Sequence, residues 1–332
     1  MTRFDVLVER LDAHAESVHG RLTGVDYTSI SITEGYYTDN RVQASLTTHG
    51  DDGWKLGERL RISLVTDGSR EALMTGFVTE RSPTMDNGTV SHSYTIDSSL
   101  YALSTDLLAE RWTVQGSALD AVGRVMRLCG RAYDADGAAD RRIGATVYDV
   151  GSTYLSMCFD LLGSASRLDV DGNGTVTMRK YVAPSQRSAT SLIEPEARDS
   201  IVVGSVSTTD SSLSVPGRVI AKSGSGDDEV WAVADVASSA DSSSAVRGYM
   251  VAETVDDSSQ GADYASLLAR AKSKLASAQD PGTEHSLTVV WSGYHAGDMC
   301  EILAYGTRRK CLVKSCETDF SSMTQKLTLK EV

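Results

Sequence analysis

The chain carries the same order of β-type segments twice, near its two ends. In the first copy a Trp and a Gly precede three such runs: Trp54, Gly57, 59–64, 73–79 and 89–96. The second copy repeats this order: Trp291, Gly297, 298–303, 310–316 and 324–329. Within the first run Leu60, Ile62 and Leu64 alternate with polar residues, as in a strand with one buried face. The sequence therefore predicts a duplicated β-barrel or sandwich, which lets one polypeptide supply two β units to a ring.

The middle of the chain changes from a two-residue to a helical period. Leu119, Val122, Val125 and Met126 recur at helical spacing, a further helix is predicted over 154–164, and a strand–turn–strand follows over 167–178. Asp86-Asn87-Gly88 is typical of a type I′ hairpin turn, because Asn and Gly tolerate positive φ.

The predicted fold class is α+β, mainly β, with two tube-like antiparallel β-barrel domains and an inserted or adjacent α/β domain. The predicted domains are 1–104 (first barrel), 105–185 (α/β) and 186–332 (second barrel, including a helix over 262–279). The stripe Leu267/Leu268/Leu275 of that helix is expected to pack on a barrel face.

The composition argues against two binding functions. The net charge is −13, and a surface that grips nucleic-acid phosphates needs clustered Lys and Arg. The run Arg308-Arg309-Lys310 is the exception, and it is predicted to lie at a hairpin tip. Aromatic residues make up only 6%, which weighs against a sugar-binding groove built on stacked rings.

The cysteines and the apolar runs indicate a protein made in a reducing cytoplasm. Five cysteines form an odd set without a CxxC or zinc spacing, and Cys129 and Cys158 are interpreted as buried small hydrophobes. Cys300, Cys311 and Cys316 are expected on strands, where a metal site is the minority interpretation. No apolar run approaches the roughly 18 residues of a membrane span, and residues 1–5 lack a signal-peptide pattern.

The motifs that could carry chemistry favour structural roles. Asp169-x-Asp171-x-Asn173-Gly174 matches half of a calcium loop, but the twelfth position is Lys180, which favours a β-turn. The six histidines are scattered, and the sequence contains no P-loop, GxGxxG, HExxH or GxSxG motif. We therefore predict no catalytic, cofactor-binding or metal-binding residues, no cofactor, and a protein that is not an enzyme.

Trp54 and Trp291 have two interpretations. They could be exposed binding residues, but their similar places in the two copies favour roles in core or hairpin packing.

The order of segments resembles a known family. It runs from LMTGFVTE through TYLSMCFDLLGSASRLDVDGNGTVTMRKY and VPGRVIAKSG to ADYASLLARAKSKLASAQ and HAGDMCEIL, and it ends in KCLVKSCETDFSSMTQKLTLKEV. This pattern, over nearly the whole chain, resembles the baseplate hub proteins of phage tails, prophages and related contractile injection particles.

The resemblance implies a structural hub at the virion tail tip, made in the bacterial host cytoplasm. It implies a homotrimer in which three chains supply six barrels, so that a pseudo-sixfold ring docks on a sixfold tail tube. The implied partners are tail tube or distal tail ring proteins and a spike, lysin or fibre protein at the tip, with the tape measure protein as a further candidate. DNA would pass through without specific binding, and this chain would not insert into a membrane. The acidic balance fits such a channel.

Three alternatives stay open at the level of sequence. A distal ring or tube-terminating tail protein would be a hexamer. A tail-associated cell-wall hydrolase would need an acid/base pair or metal site assembled by the fold. A carbohydrate-binding β-module is disfavoured by the low aromatic content.

Overall fold

The computed structural model describes residues 4–12, 18–21, 24–49, 54–67, 69–210, 214–224, 229–257, 264–278 and 283–332. It is mostly β with few helices, which confirms the predicted mainly β, α+β class. The chain divides into two compact units. Unit 1 comprises Met1–Ser205 and Leu287–Leu329, and unit 2 comprises Val206–Ser286 and Lys330–Val332.

Unit 1 begins with an antiparallel β unit. Its strands are β1 (Phe4–Leu11), β2 (Val18–Arg21), β3 (Val25–Gly35), β4 (Val42–His49), β5 (Arg59–Thr66), β6 (Ser69–Asp86) and β7 (Thr89–Ser98). Alternating residues of these strands, with Trp54, form one apolar core. The β6–β7 turn has positive φ at Asn87 (46°) and Gly88 (81°), which confirms the predicted hairpin.

A section with its own core follows in unit 1. Its elements are α1 (Leu100–Thr105), β8 (Trp112–Ser117), α2 (Ala118–Leu128), β9 (Tyr133–Asp134), β10 (Arg142–Tyr148), α3 (Tyr154–Leu162), β11 (Ser166–Val170) and β12 (Val176–Lys180). Ser117 and Thr153 cap α2 and α3, each accepting a hydrogen bond from a backbone N–H of the first turn. The apolar stripes of α2 and α3 pack with β11 and β12.

The remaining elements follow a 3₁₀ turn at Pro184–Gln186. They are β13 (Ser191–Ile193), β14 (Val202–Asp210), β15 (Arg218–Ser223), β16 (Val230–Asp235), α4 (Ser244–Arg247), β17 (Ala252–Asp257), α5 (Tyr264–Ala278), β18 (Thr283–Val290), β19 (Met299–Ala304), β20 (Thr307–Asp319) and β21 (Thr324–Glu331).

One large sheet contains both repeated β segments. Among the described residues its strand order is β14-β18-β21-β20-β3-β4-β7-β6-β5-β1-β2, with β19 beside β20 and β13 beside β19. The two copies are joined through β3 and β4: β20 of the second copy pairs with β3 in an antiparallel ladder from Ser315↔Gly35 to Asp319↔Ser31, and β4 lies between β3 and β7 of the first copy. The two meanders, β5-β6-β7 and β19-β20-β21, are the two copies that the sequence predicts.

Unit 2 contains a separate three-stranded sheet, β16-β15-β17, covered by α5. Leu267 and Leu275 of α5 are buried against Val219 and Ala232, and Leu268 is only partly buried beside them. The expectation that this stripe packs on a barrel face is therefore wrong. The buried small residues that alternate along β15 and β16 form the apolar face on which the helix packs instead: Val219, Ala221, Ala232 and Ala234. Residues 262, 263 and 279 of the predicted helix lie outside the described residues.

The three predicted domains, 1–104, 105–185 and 186–332, stay a prediction. No helix in the part of the chain that the structure describes is long and apolar enough to cross a membrane.

Candidate functional site

Both copies of the β unit begin with the same backbone arrangement, which we call the glycine lock. In the first copy the Gly57 N–H donates to the Val78 carbonyl at 2.8 Å, and the Val78 N–H donates to the Glu58 carbonyl at 2.9 Å. Gly57 has φ of +82°, a conformation that glycine adopts without strain. The lock fixes the segment before β5 against the neighbouring strand β6.

The second copy repeats the lock with equivalent residues. The Gly297 N–H donates to the Val313 carbonyl at 2.8 Å, and the Val313 N–H donates to the Asp298 carbonyl at 2.9 Å. Gly297 has φ of +102°. In each copy a strand starts two residues after the glycine, and the valine on the next strand is buried. The shared geometry supports duplication more strongly than the sequence pattern alone.

The two tryptophans are less equivalent than the glycines. Trp54 stands three residues before its glycine and is buried in the first core, with its ring 4.3 Å from the Tyr94 ring. Trp291 stands six residues before Gly297 and is partly buried against the same core. Both therefore have packing roles, and the glycines set the register of the repeat.

A polar contact joins the two copies beside the β3–β20 ladder. The Glu34 carboxylate on β3 accepts a hydrogen bond from His295 Nδ1 at 2.9 Å and another from the Ala296 N–H at 3.0 Å. The hydrogen bond from His295 to Glu34 raises the pKa of this histidine to about 9, although partial burial opposes the shift. His295 is therefore positively charged at neutral pH and forms an ion pair across the junction.

An aromatic ring supports the same junction. Tyr36, in the β3–β4 connection, is buried against Met299 and Leu312 of the second copy. The Arg167 guanidinium of β11 lies 3.4 Å from the centre of its ring and donates to Asp169 at 3.1 Å. A Cβ at Gly297 would lie 3.0 Å from this ring, so the glycine also permits the close approach.

The half calcium-loop motif is a hairpin turn between β11 and β12, as predicted. The Asp171 side chain accepts the Thr175 N–H at 2.8 Å, an interaction within the turn. The Gly172 carbonyl accepts from Thr75 Oγ1 on β6 at 2.8 Å, and the Gly174 carbonyl accepts from Ser99 Oγ at 2.7 Å. The turn therefore docks the α/β section on the first β unit. Among the described residues no cluster of three or more metal-ligating side chains occurs.

The fold assembles one histidine-centred set that the sequence could not reveal. In unit 2, His285 Nδ1 lies 2.9 Å from Thr208 Oγ1, and its Nε2 lies 3.0 Å from Glu331 Oε1. The order of groups resembles a nucleophile–base–acid set. However, the three side chains lie on neighbouring strands of a sheet, and the central His285 is buried. We interpret the set as a cross-strand hydrogen-bond network.

The cysteines have the environment of packing residues. All five are free thiols, and Cys300, Cys311 and Cys316 lie on strands as predicted. Burial raises the pKa of Cys158, Cys300 and Cys316 to about 12, so these thiols stay protonated at neutral pH. Cys129 differs from its prediction, because it lies at the exposed C-terminal end of α2 and is only half-buried.

The comparisons with known proteins agree on the fold. No protein-family description matches the sequence, and no curated protein matches it. A tail protein from Neisseria meningitidis MC58 is similar in structure with a TM-score of 0.68 and 15% identity, over 99% of this chain and 96% of that one. The 43 kDa tail protein of prophage MuSo2 from Shewanella oneidensis has a TM-score of 0.69 and 11% identity, over 99% of this chain and 98% of that one.

A third similar structure comes from a secretion machine. The E. coli c3393 protein, a type VI secretion component described as similar to the T4 tail proteins gp27 and gp5, has a TM-score of 0.52 and 11% identity. The match covers 100% of this chain and 74% of that one. The fold is thus that of phage tail and baseplate hub proteins, as the resemblance in sequence implies.

The docked turn predicts a selective effect of one added methyl group. A Cβ at Gly172 would lie 1.8 Å from the Ala72 carbonyl oxygen of β6, so Gly172→Ala must displace backbone. We expect it to lower the free energy of unfolding by about 3 kcal/mol in urea titrations. Gly144→Ala is the matched control, because its Cβ meets open space, and it should change stability by less than ~0.5 kcal/mol. Equal effects of the two substitutions would disprove the docking role.

The ion pair at the junction predicts a pH-dependent stability. The pKa of His295 is about 9 in the folded chain against an ordinary 6.5, so its stabilising contribution is complete below pH 6.5 and is lost as the pH rises through 9. The stability difference between the wild type and His295→Gln, from urea titrations, should be larger at pH 6 than at pH 10. Glu34→Gln should remove most of this dependence. A difference that is constant or grows with pH would contradict the ion pair.

Proposed function

We propose that this protein is a structural hub of a phage tail or a phage-like particle. It acts as a homotrimer, and each chain contributes both copies of its β unit to one ring around a central channel. The ring has three chains but six similar β units. It can therefore join a tail tube of sixfold symmetry to components of threefold symmetry at the tip.

The repeated glycine lock is the observation that carries this proposal. Gly57 with Val78, and Gly297 with Val313, make the same pair of hydrogen bonds at the start of each meander. The two meanders belong to one sheet through the β3–β20 ladder. A chain that contains two equivalent units in fixed register is what a pseudo-sixfold trimer requires. Similarity to tail proteins over nearly the full chain supports the same assignment.

The sheet ends supply surfaces for ring formation. Among the described strands, β2 and β14 terminate the large sheet, and each has a neighbour on one side only. An exposed strand edge pairs readily with another chain. We propose that such edges pair between subunits, which makes the trimer continuous and protects the edges from aggregation.

The hub lies at the tail tip, and its partners follow from that position. We propose tail tube or distal ring proteins on one side, a spike, lysin or fibre protein on the other, and the tape measure protein within the channel. DNA passes through without specific binding, since three chains triple a net charge of −13 and the resulting field repels phosphates. The domains 1–104, 105–185 and 186–332 are the proposed building blocks.

We propose a role in assembly and symmetry matching rather than in catalysis. The histidine-centred set in unit 2 is a cross-strand network around a buried His285, and burial keeps the thiols of Cys158, Cys300 and Cys316 protonated. These observations support the non-enzymatic role, and the similar structures include two tail proteins.

Light scattering over a concentration series measures the predicted assembly. We expect a species of three times the chain mass of 35.5 kDa. A sixfold mass would instead assign the protein to distal rings or tube-terminating proteins. A monomer at all concentrations, including in the presence of tail tube protein, would contradict the hub function.

A further inference from the structure

Unit 1 contains a basic groove that the hub function does not use. A cavity of about 380 Å³ is bordered by several cations, and a second, more open cavity of about 640 Å³ adjoins it through the shared residue Arg187. The cations that border the two cavities, and define the basic groove, are Arg167, Arg179, Lys180, Arg187, Arg308 and Lys310. Of the described residues, three carboxylates line it: Asp169, Asp298 and Glu301. A positive groove is unexpected on a chain with a net charge of −13.

Part of this positive charge has no ion-pair partner among the described residues. Arg167, Arg179 and Arg308 pair with Asp169, Asp134 and Glu301, respectively. Among the described residues no carboxylate forms an ion pair with the remaining three cations of the groove: Lys180, Arg187 and Lys310. Arg187 donates to the Gly297 carbonyl, and Lys310 Nζ donates to the Ser185 carbonyl at 2.9 Å. These neutral partners hold the two side chains in place without cancelling their charge.

A strand edge runs along the same groove. The residues 186–192 line its open half and include the start of β13, which pairs in parallel with β19. In the described part of the chain β13 has no other strand neighbour. The Thr190 N–H donates to the Met299 carbonyl at 2.9 Å, so by alternation the backbone groups of Ser191 point away from β19. Ser191 is partly exposed and lines the open cavity, so these groups are accessible to an added strand, whereas Ile193 is fully buried.

We propose that the basic groove binds an extended, acidic segment of a partner protein. The segment adds a strand beside β13, and alternate carboxylates on it reach Arg187 and Lys310. The elongated shape and the strand edge favour a peptide over a compact anion such as phosphate. The strand edge also disfavours nucleic acid, which has no peptide backbone to pair with β13. That the partner belongs to the same particle rests on the proposed hub function, whereas peptide binding does not.

Fluorescence anisotropy with a defined peptide tests the proposal. The probe is a fluorescein-labelled, C-terminally amidated peptide of five Glu-Thr repeats, titrated with the full-length protein at low salt. Arg187→Glu combined with Lys310→Glu should weaken binding by ~tenfold or more. The control is Lys55→Glu combined with Lys326→Glu, which changes the net charge equally at exposed sites outside the groove and should alter binding by less than ~twofold.

A second probe separates strand pairing from simple charge attraction. The same peptide with every backbone nitrogen methylated cannot donate a hydrogen bond to β13 from either edge and should bind ~tenfold more weakly. Unfolding curves of both double variants test whether they are folded. If the Arg187→Glu, Lys310→Glu variant is not folded, Arg187→Gln combined with Lys310→Gln replaces it.

Four binding results would overturn the proposal. They are no binding to the wild type, equal loss in both double variants, equal binding of the methylated peptide, or equal competition by inorganic phosphate or a dT oligonucleotide. A changed particle mass in the groove variant would identify a second copy of this chain as the occupant and would also overturn it. The light-scattering mass of the wild type tests the hub function separately.

Discussion

The ladder between β3 and β20 is the interaction on which the rest of the fold depends. It pairs residues 31–35 with 315–319, so the first and last parts of the chain must meet before the large sheet is complete. Such a contact closes a very long loop, and its entropic cost must be offset by local stabilisation. The buried Tyr36 and the Glu34–His295 ion pair lie at this ladder and supply that stabilisation where the two copies join.

The sequence predicted local structure well because local patterns encode it. The alternation in the β runs, the helical stripe of 118–128 and the Asn87-Gly88 turn each match a described element. It also assigned the Asp169–Gly174 motif to a turn for the right reason, since Lys180 continues a strand. The junction could not be predicted in this way. Glu34, Tyr36 and His295 carry no local motif, and only the long-range β3–β20 register brings them together.

Two sequence expectations show where pattern reasoning reaches its limit. The apolar stripe of α5 predicted that one face of the helix would be buried, but it did not identify the surface that buries it. That surface is formed by β15 and β16. The two tryptophans suggested equivalent positions, yet the register of the repeat is set by Gly57 and Gly297. Among the described residues, these two glycines combine a positive φ with a pair of hydrogen bonds to a valine. Backbone conformation at a glycine is therefore a better marker of this duplication than a bulky side chain.

The proposed assembly depends on its symmetry, because one chain supplies two equivalent β units to a ring. Electron microscopy of the purified assembly, viewed along its axis, tests this claim most directly. Averaged images should contain six similar densities around a central hole, with threefold rather than sixfold symmetry once the two units of each chain are distinguished. A closed ring with three densities, or a compact particle without a hole, would contradict the duplication as the basis of assembly.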